Sequence, residues 1–232
     1  MRKVGLIGGM SWVSTASYYS RINSEVQRRR GGLCNAHLLI ESVNFCDYAR
    51  LQSDDDWDAA TGLMIRSANR LATAGATAIF ICSNAMHKIY DRIVPEVDIP
   101  IIHIADCVGD RMAAEAIKTA TLIGTRNVMT EGFYRKRLVA KGVALTPPDE
   151  ERVQEIDRII YDELMYNRAS RSAERTLKTY ITNIEKAGAE AVVLGCTELQ
   201  LVVDTKANIL PIFDSTEIHA DAAVDWALGE AS

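Results

Sequence analysis

Several things are missing from this chain, and each absence removes a class of function. No stretch is apolar enough for long enough to span a bilayer, and the opening run Met1–Trp12 carries Arg2 and Lys3 but breaks at Gly8-Gly9 without a cleavage site. Neither a membrane span nor a secretory leader is expected, and the reading is a cytoplasmic protein. Broad positive charge is missing too: 26 Lys and Arg stand against 31 Asp and Glu, a net charge of −5. That leaves no field to hold a phosphate backbone and argues against nucleic acid as a partner. The 5 cysteines (Cys34, Cys46, Cys82, Cys107 and Cys196) form no C-x-x-C pair and have no histidines at zinc-site spacing, so neither a disulfide framework nor a bound metal is expected. For Cys34, Cys46 and Cys107 the expectation is a small core residue. Gly5-Leu6-Ile7-Gly8-Gly9 lacks the G-x-G-x-x-G order, and Glu25 or Glu41 would be a forced choice of ribose acid. NAD is therefore rejected, no Walker sequence occurs, no local motif marks a pyridoxal-binding lysine, and no cofactor is expected.

What is present is an ordinary globular composition, 48% hydrophobic and 25% charged over 232 residues, enough for a buried core. Short apolar runs alternate with longer segments of helical period. The strand candidates are Lys3–Gly8, His37–Val43, Ala78–Cys82, Pro100–Ile104, Ala120–Gly124, Val143–Thr146, Ala191–Gly195 and Leu210–Phe213, an alternation that predicts parallel sheets covered by helices. Thr15, Tyr19, Ile22 and Val26 line one face of a predicted helix that ends in Arg28-Arg29-Arg30 before Gly31-Gly32, as cations and a left-handed glycine suit a C-terminus. Asp54-Asp55-Asp56 precede a second stripe of Ala60, Met64, Ala68 and Leu71, where negative charge suits the N-terminal dipole better than it suits a metal.

The chain also repeats itself. Leu6-Ile7-Gly8-Gly9 returns as Leu122-Ile123-Gly124-Thr125, and Ala74-Gly75-Ala76-Thr77-Ala78 returns as Ala187-Gly188-Ala189-Glu190-Ala191, each of the latter leading through an apolar strand to a cysteine. Pro100-Ile101-Ile102 has a weaker echo in Pro211-Ile212-Phe213. Three echoes in one order predict an α/β fold of two similar lobes. The expected crossings lie near Ile99 and Asn208, so that residues 1–98 with 208–232 make one lobe and 99–207 the other. Ligands of open parallel sheets bind beyond the carboxyl ends of the strands, and two such edges facing each other would make a cleft. It would hold Gly9-Met10-Ser11 and Cys82-Ser83-Asn84 from one lobe opposite Thr125-Arg126-Asn127 and Cys196-Thr197-Glu198 from the other.

One thiol on each side of a substrate is what inversion of a carbon centre needs, since a proton leaves one face and another arrives at the opposite face. A thiol of pKa about 8.5 ionises more readily near positive potential, so one cysteine can be thiolate while the other stays protonated. Ser11, Ser83, Asn84, Thr125 and Thr197 are short polar residues at strand-to-helix turns, suited to a substrate carboxylate and also to plain helix capping. Glu198 is suited to a substrate ammonium, to a proton shuttle with Cys196, or to a solvated helix start. His87 reads as a satisfied structural histidine or a support for the Cys82 turn, and His37, His103 and His219 as structural or solvated.

Taken together, Gly5-Leu6-Ile7-Gly8-Gly9-Met10-Ser11-Trp12, Cys82-Ser83-Asn84-Ala85-Met86-His87 and Gly195-Cys196-Thr197-Glu198 resemble the aspartate/glutamate racemase family over essentially the whole chain. The resemblance implies two Rossmann-like lobes in a homodimer and cofactor-independent racemisation of a small-molecule amino acid. It implies Cys82 and Cys196 as the acid/base pair, and Met10, Ser11, Ser83, Asn84, Thr125 and Thr197 as substrate-positioning residues with Glu198 in support. Aspartate-specific members of the family carry an arginine and a lysine where Tyr48 and Met165 stand here, with Arg50 a nearby candidate substitute. The usual threonine of the first cysteine motif is Ala85. These departures point to a broader or less acidic range of amino acids. A noncatalytic amino-acid sensor and a hydantoin racemase are the alternatives that such a fold leaves open.

Overall fold

The computed structural model describes residues 1–53 and 55–230, with the backbone alone described at 52 and 53; Asp54 of the predicted acidic cap lies outside them. In chain order the elements are β1 (Val4–Gly8), α1 (Trp12–Arg30), β2 (Leu38–Ser42), α2 (Phe45–Ser53), α3 (Trp57–Thr73), β3 (Ala78–Ile81), α4 (Tyr90–Ile93) and β4 (Ile101–Ile102). There follow α5 (Ile104–Ala114), β5 (Thr119–Gly124), α6 (Arg126–Thr130), α7 (Gly132–Ala140), β6 (Ala144–Leu145), α8 (Glu150–Asp162), α9 (Arg171–Lys186), β7 (Ala191–Gly195), β8 (Ile212–Asp214) and α10 (Ser215–Leu228). All pairings are parallel, in two four-stranded sheets of order β2-β1-β3-β4 and β6-β5-β7-β8.

Two compact units result, Met1–Ile104 with His219–Ser232, and Ala105–Ile218. The crossings fall after the fourth strand of each sheet, not before it as the expected boundaries at 99 and 208 had it. Ile79 and Phe80 pair with Ile101 and Ile102, and Val192 to Leu194 pair with Ile212 to Asp214. Each fourth strand thus completes its own sheet beside the cysteine-bearing strand, which is what the echo of Pro100 at Pro211 encodes. The expected ends Ile104 and Cys82 lie outside the strands, Ile104 as the first residue of α5.

In the first unit alternate residues of the sheet serve two faces. Ile7, Ile79 and Ile81 pack with Ala60, Met64, Ala68 and Leu71 of α3. Val4, Leu6, Ala78, Phe80 and Cys82 pack with Tyr18, Ile22 and Val26 of α1 and with Ala220, Ala223 and Val224 of α10. The predicted stripe of α3 is therefore its buried face, and Asp56 caps it by accepting from the Ala59 N–H. In α1 the buried aromatic is Tyr18, while Tyr19 is 53% exposed; both sets fit a helical face, and burial places Tyr18 with Thr15, Ile22 and Val26 on the inner one. Gly31, with φ 75°, ends α1 after the three arginines. The second unit packs Val153, Ile156 and Ile160 of α8 and Leu177, Ile181 and Ile184 of α9 against Ile123, Val192, Leu194 and Cys196. Cys34 and Cys46 are exposed and Cys107 is half-buried, so these thiols are not the core residues expected. Among the described residues no helix is long and apolar enough to cross a membrane.

His219 links α10 to the first sheet. Its Nε2 donates to the Ile102 carbonyl at 3.0 Å and its Nδ1 accepts from the Tyr18 hydroxyl at 2.8 Å. Burial, and secondarily His87 nearby, hold its pKa down to about 3 from 6.5. The folded value lies below the unfolded one, so neutral His219 stabilises the protein fully above pH 6.5. That contribution is lost as pH falls toward 3, at about 1.4 kcal/mol per pH unit. Asp214 acts with the opposite sign: burial raises it from 3.8 to about 6, a contribution present at low pH and lost as pH rises through 6. His219→Gln keeps a donor for Ile102 and is expected to flatten the fall of Tm between pH 6.5 and 3; parallel curves for the two proteins would assign the acid sensitivity to another group.

Candidate active site

In the first unit the site residues grow from the ends of β1 and β3. Gly9 has φ +89°, and a Cβ there would stand 2.1 Å from the Val43 carbonyl oxygen, so only glycine lets the chain turn at this place. Its N–H donates to Thr15 Oγ1 at 2.7 Å, and the same hydroxyl donates to the Ser11 carbonyl at 3.0 Å. Ser11 caps α1, its Oγ accepting from the Ser14 N–H at 3.3 Å. Ser14 in turn donates its hydroxyl to the Cys82 carbonyl at 3.1 Å. Cys82 itself continues β3, its N–H donating to the Ile7 carbonyl at 2.9 Å. The loop after β1 and the turn after β3 are thereby fastened to each other within one unit, and Ser14 and Thr15 are the fasteners that sequence reasoning missed. A serine and a threonine three and four residues after a predicted cap were the available signal.

Cys82 is 1% exposed, and burial alone pushes its thiol well above the ordinary range. Ser83 is half-buried and Asn84 buried. Asn84 Oδ1 has no hydrogen-bond partner among the described residues, an uncommon state for a buried oxygen. Met10 is also buried, but among Ile7, Tyr48, Ile81 and Met86 of the core. Tyr48 packs in that same core and Arg50 is exposed.

In the second unit Gly124 and Gly195, the last residues of β5 and β7, pair in register. A Cβ on Gly124 would meet the Gly195 carbonyl oxygen at 2.8 Å, so bare backbone brings the loop of Thr125 beside that of Cys196. Thr125 is buried and its Oγ1, which makes no cap bond, has no hydrogen-bond partner among the described residues. The Arg126 N–H is held by Asp157 Oδ1 of α8 at 2.7 Å. Cys196 is 5% exposed, and its Sγ donates to Glu198 Oε2 at 3.1 Å. Burial, then the Glu198 carboxylate, push this thiol well above its ordinary value, opposed by the N–H groups of Glu198 and Leu199. Glu198 is buried, which excludes the reading of a solvated helix start; Thr197 beside it is half-buried.

Tyr161, four residues after Asp157 and on the same face of α8, is a neighbour that sequence reasoning missed. It is 38% exposed by area, yet burial and then Asp157, Cys196 and Glu198 push its hydroxyl up to about 12, keeping it a neutral donor. Met165 packs against the core around α8 and α9. A cavity of about 760 Å³ in this unit is lined by Lys178, Gln200, Lys206 and Glu217 among others, and by none of the expected site residues.

A thiol continuing the third strand of the fold, with a glycine-built loop beside it, occurs in both units. Residues 7–223 match the sequence model of the family described as Asp/Glu/Hydantoin racemase. The chain belongs to that family. This places the protein among the isomerases, with a family fold of two parallel four-stranded sheets. A crystal structure of a Yersinia pestis protein assigned as an Asp/Glu racemase is 40% identical, covers 98% of this chain and 100% of its own, and superposes with a TM-score of 0.91. The aspartate racemase homologue of Pyrococcus horikoshii OT3 is 32% identical with the same coverage and a TM-score of 0.84. The broad specificity amino-acid racemase RacX of Bacillus subtilis (strain 168) is 24% identical over 232 residues, 99% of this chain and 100% of that one.

The contact between Cys196 and Glu198 makes the second thiol separately testable. Glu198→Gln removes the negative charge while keeping an acceptor oxygen, and Cys196 is expected to ionise at lower pH. The pH dependence of its alkylation, followed by peptide mass spectrometry, measures this; an unchanged or upward-shifted profile would mean that Glu198 does not set its acidity.

Proposed function

We propose that this protein is a cofactor-independent amino-acid racemase in which Cys82 and Cys196 exchange protons with the α-carbon. The observation that carries the reading is that each of two like-folded units bears one buried thiol at the same position, immediately beyond the strand paired with the glycine-ended one. Inversion needs a thiolate to take the α-proton from one face while a thiol delivers its proton to the other. The electron pair left on carbon delocalises into the substrate carboxylate, where donors that meet developing charge lower the barrier.

The polar atoms left over support this assignment. Asn84 Oδ1 is an acceptor and suits the substrate ammonium; the Thr125 hydroxyl can donate to the carboxylate. Ser83 and Thr197 directly follow the two cysteines, and Ser11 holds the loop that fastens Cys82. Both thiols are driven towards the neutral form in the empty protein, and an ammonium group arriving with the substrate supplies the positive charge that favours a thiolate. Glu198 gives Cys196 a proton acceptor within hydrogen-bond distance.

The substrate range we propose includes non-acidic amino acids. Tyr48 and Met165 provide no cation for a side-chain carboxylate, and RacX is named as a broad specificity amino-acid racemase.

The test follows the α-proton of a panel of L- and D-amino acids by proton NMR in D₂O, without added cofactor, for the unsubstituted chain, Cys82→Ser and Cys196→Ser. Deuterium incorporation with formation of the other enantiomer is expected for the unsubstituted chain. Loss of racemisation by more than about a hundredfold is expected in each variant. No exchange with acidic, polar or aliphatic amino acids would exclude amino-acid racemisation, and turnover of added hydantoins alone would move the assignment to that substrate class.

A further inference from the structure

The turn after Cys82 contains a buried histidine whose two ring nitrogens are both committed to backbone. His87 Nδ1 lies 2.8 Å from the Ser83 carbonyl oxygen, and the Ile104 N–H donates to Nε2 at 3.2 Å. A carbonyl only accepts and an amide N–H only donates, so both contacts are met by the neutral ring with its proton on Nδ1. The ring is 1% exposed and is packed against His103, Tyr90 and His219, with centroids 4.5, 6.4 and 5.8 Å away.

These contacts complete a chain of fixings around the thiol. The Cys82 N–H is held by Ile7, the Cys82 carbonyl by Ser14, and the next carbonyl, of Ser83, by His87. The far side of the imidazole is anchored on the first residue of α5, whose N–H has no partner within its own helix. Asn84, with its unpartnered buried Oδ1, lies between Ser83 and His87. Among the described residues the Ser83 carbonyl takes no backbone N–H, and the imidazole supplies its donor.

We propose that His87 is a positioning residue for the reaction: it holds the Ser83 carbonyl and thereby fixes the Cys82 thiol and the Asn84 amide in working geometry without touching substrate. The proposal rests on the assignment of Cys82 as an acid/base group. The second unit arranges its own turn differently. Gln200, four residues after Cys196, approaches the carboxylate of Asp214 at the end of β8, although Asp214 Oδ2 is left without a hydrogen bond of good geometry. Asp214 Oδ1 in turn accepts from the Thr216 and Glu217 N–H groups at the start of α10.

The experiment uses the full chain with His87→Phe, which keeps a packed ring and removes both hydrogen bonds, and His87→Asn, which keeps an amide donor near the place of Nδ1. Alkylation of Cys82 and Cys196 by iodoacetamide is followed separately by peptide mass spectrometry, alongside kcat and KM. In His87→Phe, Cys82 is expected to react about fivefold faster with Cys196 unchanged. The kcat is expected to fall about tenfold to a hundredfold with KM held within about twofold. His87→Asn is expected to reverse most of both changes, slowing Cys82 alkylation and raising kcat toward the unsubstituted values. Alkylation of Cys82 at the unsubstituted rate with kcat retained would overturn the proposal, and so would equal acceleration of both thiols, which marks general loosening. Because the alkylation needs no turnover, a change confined to Cys82 in a protein that racemises nothing would sustain the brace and reject the reaction.

Discussion

Everything at the candidate site depends on the parallel pairing of β1 with β3 and of β5 with β7. Parallel strands end at the same edge, so this pairing delivers a glycine-built loop and a cysteine side by side with no further device. Its closeness depends on missing side chains: a Cβ on Gly124 would collide with the Gly195 carbonyl oxygen, and one on Gly8 would stand 2.5 Å from Thr15 Oγ1. In the first unit that closeness puts Thr15, Ser11 and Ser14 within hydrogen-bond reach of the loop and of Cys82. The polar fastenings are consequences of the strand pairing, and the thiol position is a consequence of both.

The two thiols share a position and differ in what surrounds them. Cys82 is a continuation of the apolar row formed by Val4, Leu6, Ala78 and Phe80, and burial is the one cause that acts on it. Cys196 has the same burial and, in addition, a carboxylate 3.1 Å away and two N–H groups at its turn. A duplicated fold has thus been given one thiol whose acidity is set by desolvation and one whose acidity is set by desolvation together with a specific acceptor. On the proposed racemase reading the two thiols would alternate as acid and base, and groups in such roles do not need identical surroundings.

Much of this was legible in the residues. All eight strands lie within or next to the segments that the apolar runs mark, because parallel strands buried on both faces must be continuously apolar. The repeat located both cysteine strands, since an echo in sequence is an echo in fold. What the residues did not reveal was set by partners distant in the chain. The lobe to which each fourth strand belongs is not legible locally, because nothing near Pro100 or Pro211 says which neighbour its hydrogen bonds will meet; pairing with β3 and β7 decides it. Tyr18 and Tyr19 are adjacent aromatics, and the choice of which faces inward depends on a helical phase that His219, some two hundred residues on, fixes through its bond to Tyr18. Cys34 falls in a loop and Cys46 near the start of α2, and no apolar pattern announces the exposure of either. His87 and Tyr161 could be placed on helical segments but not linked to backbone groups or thiols that only folding brings near.

Burial of both thiols has a consequence for how chemistry begins. A desolvated thiol is a poor acid for the same reason that a desolvated thiolate is a strong base: the low-dielectric surroundings penalise the charged form. The α-hydrogen of an amino acid is far less acidic than a thiol in water, so a thiolate formed in water would be too weak a base to remove it at a useful rate, and burial narrows that gap. The cost is that burial favours the neutral form of both thiols, and on the proposed reading ionisation would be linked to binding. An amino acid brings an ammonium group, and Asn84 Oδ1 is a buried acceptor with no hydrogen-bond partner among the described residues. If that atom receives the ammonium, one event satisfies a buried oxygen and supplies the positive charge that a thiolate requires. A neutral ring compound could donate an amide N–H to that oxygen but would bring no positive charge, so on the proposed reading an amino acid would favour the thiolate more strongly.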